Sequence, residues 1–211
     1  MNSTMTQRDL IVFLIDDDES VLNSQRELLT AAGISVQSFH SAESFLAELD
    51  SQSAGCVVTD LKLSGMSGLD LQRRLIAIDS PLPMIVVSGH ANVSTTVELM
   101  ENGAITLLQK PYDAYQLLGA VQKGLDQFIE SRKLTQEISS IQRRLNSLTE
   151  AEMSVLNLMI TGRPNKVIST ELEISMRTVD RRRSVILEKM QVDSAPELAR
   201  LVTLVEVTPS I

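Results

Sequence analysis

Apolar and polar positions follow two different periods along this chain, and the change of period divides it. Over the first 120 residues, short apolar runs of strand length alternate with segments of helical period. The apolar runs predict five strands at LIVFLI (10–15), ISVQSF (34–39), GCVVTD (55–60), PMIVVS (83–88) and AITLLQ (104–109). Helices are expected near 19–32, 42–50, 68–78 and 92–102. Strands that alternate with helices favour a parallel sheet covered on both faces, with any ligand site at the carboxyl ends of the strands.

Beyond Pro111 the pattern is helical from about residue 114 to residue 148. Apolar residues in its second half recur at alternating spacings of four and three, typical of a heptad seam: Leu134, Ile138, Ile141, Leu145 and Leu148. Two arrangements are compatible with this seam. The helix folds back onto the chain's own domains, or it dimerises or transmits a signal.

Four short helices with tight turns are expected after residue 148, which indicates a small helical module. Thr149 and Glu152 form the sequence pattern of a capping box at the start of the first of these helices. We therefore expect an α/β domain over residues 1–120, a long linker helix over 121–147 and an all-α domain over 148–211.

Composition and charge narrow the class of protein. No apolar run approaches the roughly 20 residues that a membrane-spanning helix needs, and the first residues lack a signal-peptide pattern, so we expect a cytoplasmic protein without a membrane partner. The net charge of −8 is uneven: residues 1–120 hold 6 basic and 15 acidic residues, whereas residues 149–211 hold 8 and 9. Four of those last eight basic residues lie within residues 177–183. A local basic stripe therefore remains despite the acidic total.

Chemically active side chains follow several of the predicted strands. Asp16 and Asp17 come after the first strand, Asp60 ends the third, Ser88 ends the fourth and Lys110 follows the fifth. Carboxylates gathered at one sheet edge repel each other unless a hard cation such as Mg²⁺ (or Mn²⁺) is bound. The fitting chemistry is phosphoryl transfer to Asp60, with Asp16 and Asp17 on the metal and with Ser88 and Lys110 on the phosphoryl oxygens.

Each of these features has a plain structural alternative when taken alone. The acidic run at 16–19 is compatible with a solvated loop that caps the next helix, and Lys110-Pro111 with a surface turn. Only their joint placement at successive strand ends favours a site.

Residues 10–125 resemble a response-regulator receiver domain, because IDDDES, VVTDLKLSGMSGLDL, VVSGHAN and LLQKPY have that family's order and spacing. The resemblance implies a flavodoxin-like fold, phosphotransfer to Asp60 from a sensor histidine kinase, and a Mg²⁺ ion held by Asp16, Asp17, Asp60 and the backbone carbonyl of Lys62. This sequence departs from the family at two positions. Ser64 stands where proline is usual, and Leu107 occupies the usual aromatic switch position.

The segment from residue 148 to residue 205 resembles the LuxR-type helix-turn-helix of the NarL/FixJ class of response regulators. The residues that carry the resemblance are LT near the start, G-x-x-N-K-x-I, I-S-x-R-T-V and a final K-M. A helix of this kind reads base edges in the major groove of double-stranded DNA while other groups contact phosphates. We expect Arg177, Arg181 and Ser184 to face the groove. Residues expected towards phosphates are Lys166, Thr178, Arg182 and Arg183.

The joined resemblances predict a two-component transcription regulator rather than a turnover enzyme. Phosphorylation of Asp60 would control dimerisation and DNA binding, because one module of this charge is expected to bind DNA weakly alone. The main alternative is a phosphorylation-independent DNA-binding protein whose receiver is a dimerisation scaffold. A phosphatase is disfavoured because Lys62 stands where the general acid of a D-x-D pair would be.

Overall fold

The computed structural model describes residues 10–89 and 92–207. His90 and Ala91 of the VVSGHAN motif lie outside the described residues, as do the two ends of the chain. The chain divides between Arg132 and Lys133 into two compact units.

The first unit is built on a parallel sheet of five strands. In chain order its elements are β1 (Ile11–Ile15), α1 (Glu19–Ala31), β2 (Ser35–Phe39), α2 (Ala42–Glu48), β3 (Gly55–Asp60), α3 (Gly68–Ala77), β4 (Met84–Ser88), α4 (Val93–Glu101) and β5 (Thr106–Gln109). The strand order is β2-β1-β3-β4-β5, so the direction of winding reverses between β1 and β3. The flavodoxin-like α/β fold expected from the sequence is confirmed, and its switch point lies beside Asp60.

The burial of each strand explains its composition. All six residues of the central strand β3 are buried, whereas the edge strand β2 is mostly half-buried. A strand covered by helices on both faces is apolar throughout, and GCVVTD has this character up to its last two residues. The last two residues, Thr59 and Asp60, are polar but are also buried, because they belong to this covered strand.

Helix α5 (Ala114–Asn146) contributes to both hydrophobic cores. Val121, Leu125 and Phe128 are buried in the core of the first unit. Ile141 and Leu145 are buried in the core of the second. Apolar positions of this helix therefore continue to pack on the first core beyond residue 120, the end that we expect for the α/β domain, as far as Ile129.

Over the residues described up to 207, the second unit is all-helical. It comprises the end of α5 and four further helices, α6 (Glu150–Ile160), α7 (Asn165–Glu171), α8 (Met176–Met190) and α9 (Ala195–Val207). Thr149 and Glu152 form the expected capping box of α6, and the Ser175 side chain caps α8. No helix among the described residues is both long enough and apolar enough to span a membrane.

Candidate functional sites

Four of the predicted site residues lie at the carboxyl edge of the sheet. Asp60 is the last residue of β3 and Ser88 the last of β4, while Asp16 and Lys110 directly follow β1 and β5. The backbone amide of Lys110 donates to the carbonyl of Ser88 at 2.8 Å. Parallel pairing of β1, β3, β4 and β5 thus gathers residues that are up to 94 positions apart.

Lys110 joins the two buried carboxylates of this site. Its ammonium donates to Asp60 Oδ1 at 2.7 Å and to Asp16 Oδ2 at 3.2 Å. The side chains of Asp16 and Asp60 are 5% and 11% exposed, against 30% for Lys110. One positive charge therefore faces two carboxylates that are largely removed from water.

Burial controls the electrostatics of this cluster. Burial raises the pKa of Asp16, and hydrogen bonds from the Asp18 amide and Lys110 only partly offset that effect. Partial burial acts to lower the pKa of Lys110, but its bonds to Asp60 and Asp16 outweigh burial and raise that pKa. A second cation would relieve the negative charge that Lys110 leaves uncompensated.

The three consecutive aspartates after β1 have different partners. Asp16 accepts from the Asp18 amide at 3.0 Å, and Asp18 in turn caps α1 by accepting from the amides of Ser20 and Val21. The carboxylate of Asp17 instead accepts two hydrogen bonds from Ser64, one from its amide at 3.0 Å and one from its hydroxyl. Of the acidic run, it is therefore Asp18 that caps the next helix, the role that the structural alternative gives to the whole run.

The donor chemistry fits Mg²⁺, although Asp17 is turned towards Ser64. Asp16, Asp17 and Asp60 lie at the carboxyl ends of the neighbouring strands β1 and β3. Their carboxylate oxygens are hard ligands, the type that Mg²⁺ prefers. Lys62 lies beside them, and its amide donates to Asp60 Oδ2 at 2.6 Å. Across the described parts of the chain, no three acidic, histidine or cysteine side chains stand close enough together to hold a metal as they are.

Three contacts around this site were not expected from the sequence. The bond from Ser64 to Asp17 links segments 47 positions apart. The Glu43 carboxylate accepts from the Met66 amide at 2.9 Å and so holds the loop after β3 from a second side. The buried Gln25 donates to the Tyr112 hydroxyl at 2.6 Å. Polar residues such as these have many possible partners, and only the tertiary fold selects one.

The arginine-rich helix α8 presents a polar face to solvent. Arg177, Arg181 and Ser184, which we expect to face the DNA groove, are exposed. Thr178, Arg182 and Arg183 are half-buried, while Lys166 is exposed on α7. The residues expected to face the groove are thus all exposed, whereas the residues expected to contact phosphates are half-buried except for Lys166.

Hydrogen bonds already engage several polar side chains of this face. The Asp180 carboxylate accepts from the Asn165 amide group at 2.7 Å, which joins α8 to α7. The Ser184 hydroxyl donates to the backbone carbonyl of Asp180 at 3.1 Å. The hydroxyls of Thr178 and Ser175 lie 2.8 Å apart. Arg177 and Arg181 line a concavity of about 360 Å³ together with Thr149 and Arg182.

Comparison with known proteins finds a matching family for each part of the chain. A family model described as response regulator receiver domain matches residues 12–122, and one described as bacterial regulatory proteins, luxR family, matches residues 146–202. The chain therefore belongs to the response regulators of the NarL/FixJ class, which join a receiver domain to a LuxR-type helix-turn-helix.

Individual relatives cover nearly the whole chain. The response regulator protein TodT of Pseudomonas putida is 34% identical over 197 residues, which are 93% of this chain and 87% of TodT. The transcriptional regulatory protein FixJ of Rhizobium meliloti is 35% identical over 193 residues, which are 92% of this chain and 95% of FixJ. The solved structure of the response regulator StyR matches with a TM-score of 0.82 at 38% identity and covers 92% of this chain and 98% of StyR.

Proposed function

We propose that this response regulator accepts a phosphoryl group on Asp60 from a sensor histidine kinase and binds double-stranded DNA as a dimer in response. The observation that supports Asp60 most directly is its bond to Lys110, 2.7 Å long, at the end of the fully buried strand β3. A carboxylate so placed has a cation beside it at the edge where ligands bind in parallel sheets.

In the proposed transfer, one oxygen of Asp60 attacks the phosphorus of phosphohistidine. The new O–P bond forms as the P–N bond breaks, and the imidazole nitrogen leaves with the electron pair. Lys110 stabilises charge on the phosphoryl oxygens, and the Ser88 hydroxyl donates to one of them. The chain accepts a phosphoryl group in this step rather than turning over a substrate.

The proposed ligands of Mg²⁺, or of Mn²⁺ in its place, are the carboxylates of Asp16, Asp17 and Asp60 and the backbone carbonyl of Lys62. When bound, the ion supplies charge neutralisation for the transferring group. The burial of Asp16 and the single positive charge of Lys110 both favour an added cation.

The acceptor is tested by incubating the full chain with Mg²⁺ and acetyl phosphate. We expect one hydroxylamine-labile phosphate per chain in the wild type and none in Asp60→Asn. Asp79→Asn is a matched control, because this residue has a φ of 50°, which asparagine tolerates, and lies between α3 and the amino end of β4 rather than at the carboxyl ends of the strands. Equal labelling of the wild type and Asp60→Asn would contradict the assignment.

For the output domain, we propose that Arg177, Arg181 and Ser184 face the major groove. The proposed phosphate contacts are Lys166, Thr178, Arg182 and Arg183. Their grouping on α8 and on the start of α7 supports this assignment, because a helix that enters the groove carries base-reading and phosphate-binding groups side by side.

Leu107 favours a second candidate, in which DNA binding does not depend on phosphorylation. It is a half-buried aliphatic residue packed against the first core, so the usual aromatic ring is absent from that position. DNA affinity and molecular mass measured with and without beryllofluoride separate the two candidates. A rise in both with beryllofluoride supports phosphorylation control, and no change in either supports the second candidate.

A further inference from the structure

Ser64 bonds to Asp17 through two donors that meet on one oxygen. The Ser64 amide lies 3.0 Å from Asp17 Oδ2, and the Ser64 hydroxyl donates to the same atom. A carboxylate oxygen offers two lone pairs in its plane, so these two donors occupy the places through which Oδ2 would bind a cation.

The pair also fixes which way Asp17 points. Asp17 and Ser64 are both exposed, and their bonds connect the loop after β1 with the loop after β3. The proline common at this position in receivers has neither an amide hydrogen nor a hydroxyl, so it cannot make either bond. The loop does not depend on Ser64 alone, because Glu43 holds it at Met66.

Both hydrogen bonds from Ser64 end on the carboxylate of Asp17. A cation therefore meets a charged ligand that already has two hydrogen-bond donors, and at least one of them must be displaced if Oδ2 is to bind the metal.

We propose that Ser64 is a positioning residue that competes with the divalent cation for Asp17 and thereby weakens metal binding at the phosphoryl-acceptor site. This inference rests on the proposed role of Asp17 as a metal ligand. Binding of the ion would release the bond between Ser64 and Asp17. The loop after Asp60 would therefore lose this contact whenever the cation binds.

The test is direct metal binding to the full chain without any phosphoryl donor. Loss of the free Mn²⁺ signal in electron paramagnetic resonance gives the Mn²⁺ dissociation constant, and competition gives that of Mg²⁺. Because one hydrogen bond to an exposed charged group is removed, we expect Ser64→Ala to bind both ions about three- to tenfold more tightly. Ser64→Pro removes both donors and is expected to show at least the same gain.

Two further variants separate competition from a general structural effect. Ser64→Thr keeps both donors and should retain the wild-type dissociation constant. Ser20→Ala removes a hydroxyl that donates to the neighbouring Asp18 at 2.6 Å, so it should leave metal binding unchanged. An unchanged or weaker affinity in Ser64→Ala, or an equal gain in Ser20→Ala, overturns the proposal.

Labelling with acetyl phosphate distinguishes this inference from the proposed function. If Asp60 is labelled but Ser64→Ala binds metal no more tightly, the role of Ser64 is refuted and the phosphoryl acceptor stands. If Ser64→Ala binds metal more tightly but Asp60 is never labelled, the competition is supported and the phosphoryl acceptor fails.

Discussion

Gly68 shows how closely the first turn of α3 approaches the proposed acceptor. A Cβ atom at this position would lie 2.6 Å from the carbonyl oxygen of Asp60 and 3.1 Å from the Cα of Leu61. Both neighbours are backbone atoms, which cannot move aside as the end of a flexible side chain can. The space beside Asp60 therefore requires glycine.

Replacing Gly68 with alanine should lower the free energy of unfolding by about 1–3 kcal/mol, because the methyl group forces the backbone of Asp60 and Leu61 to shift. Gly119→Ala is the matched control: it lies within α5 with nothing within 4 Å of an added Cβ, and should gain about 0.5–1 kcal/mol from helix propensity. Urea unfolding measures both changes. Equal effects of the two substitutions would contradict the steric account.

Glu152 combines a cap with an ion pair in the helix-turn-helix domain. It accepts from the Thr149 amide at 2.8 Å and from the Lys189 ammonium at 2.7 Å, and its side chain is 13% exposed. Lys189 is the largest cause of its lowered pKa, followed by the Thr149 amide. The capping box was predictable from local spacing, but Lys189 lies 37 positions away and was not.

A lowered pKa in the folded state means that the unfolded chain binds the proton more readily. The contribution of Glu152 to stability is therefore present above its ordinary pKa of 4.5 and is lost as pH falls through the lower folded value. Glu152→Gln should destabilise by about 1 kcal/mol at pH 7, and its difference from the wild type should shrink at lower pH. Thermal unfolding across pH measures this difference, with Glu150→Gln on the same turn as control. A difference that grows towards acid pH would refute the sign.

At the scale of elements, α5 resolves part of the ambiguity in its heptad seam. Ile141 is fully buried and Leu145 nearly so, whereas Leu134 is 43% exposed. The last part of the seam therefore packs within the second core, as the folded-back alternative requires. The sequence could not separate these positions, because a helix shows the same apolar spacing whichever surface covers it.

This difference in burial predicts unequal costs of truncation along one seam. Ile141→Ala removes a fully buried side chain and should cost about 2–5 kcal/mol in free energy of unfolding. Leu134→Ala should cost less than about 1 kcal/mol in the monomer, since much of its side chain already contacts water. Denaturant unfolding at low protein concentration compares them. A large cost for Leu134→Ala that grows with protein concentration would instead favour the dimerising alternative.

On α8 and α7, arginine and lysine are expected to act differently on DNA. A specific DNA site is first selected by the protein from random DNA. Arg181→Ala should reduce the preference for this site over non-specific DNA by about 1–3 kcal/mol. Lys166→Ala should weaken binding to all sequences and lower the slope of log affinity against log salt by about 1. Fluorescence anisotropy over a range of salt measures both, with the exposed Arg200 on α9 replaced by alanine as control. If Arg181→Ala weakened all sequences equally, its assignment to the groove would be wrong.

At the scale of the whole molecule, acidic and basic residues are distributed as the functions proposed for the two domains require. The acidic first 120 residues suit a divalent cation, and the arginine run over residues 177–183 suits DNA. Binding by one module of nearly neutral charge is expected to be weak, which is the physical reason for proposing a dimer.

Much of the fold was predictable because its signals are periodic and local. The fully buried strand β3 ends at Asp60 as its apolar run predicts, and α6 begins with the capping box that the spacing of Thr149 and Glu152 predicts. The joint placement of Asp60 and Lys110 followed from the geometry of parallel strands. The bond from Ser64 to Asp17 did not follow, because neither a period nor a motif specifies which serine a carboxylate will contact.

Cys56, the single cysteine of the chain, lies fully buried in β3. Helix α5 covers it so closely that a Cβ atom on Gly124 would lie 3.1 Å from its own, and burial raises the pKa of its thiol to about 12. A thiol reagent can therefore react only after β3 and α5 separate. We expect labelling by a chromogenic disulfide to be slow in native buffer, rapid in urea and faster in Gly68→Ala, and rapid labelling of the native wild type would show that the thiol is accessible. Because β3 also carries Asp60, this thiol is a built-in reporter of how often the strand that bears the phosphoryl acceptor opens.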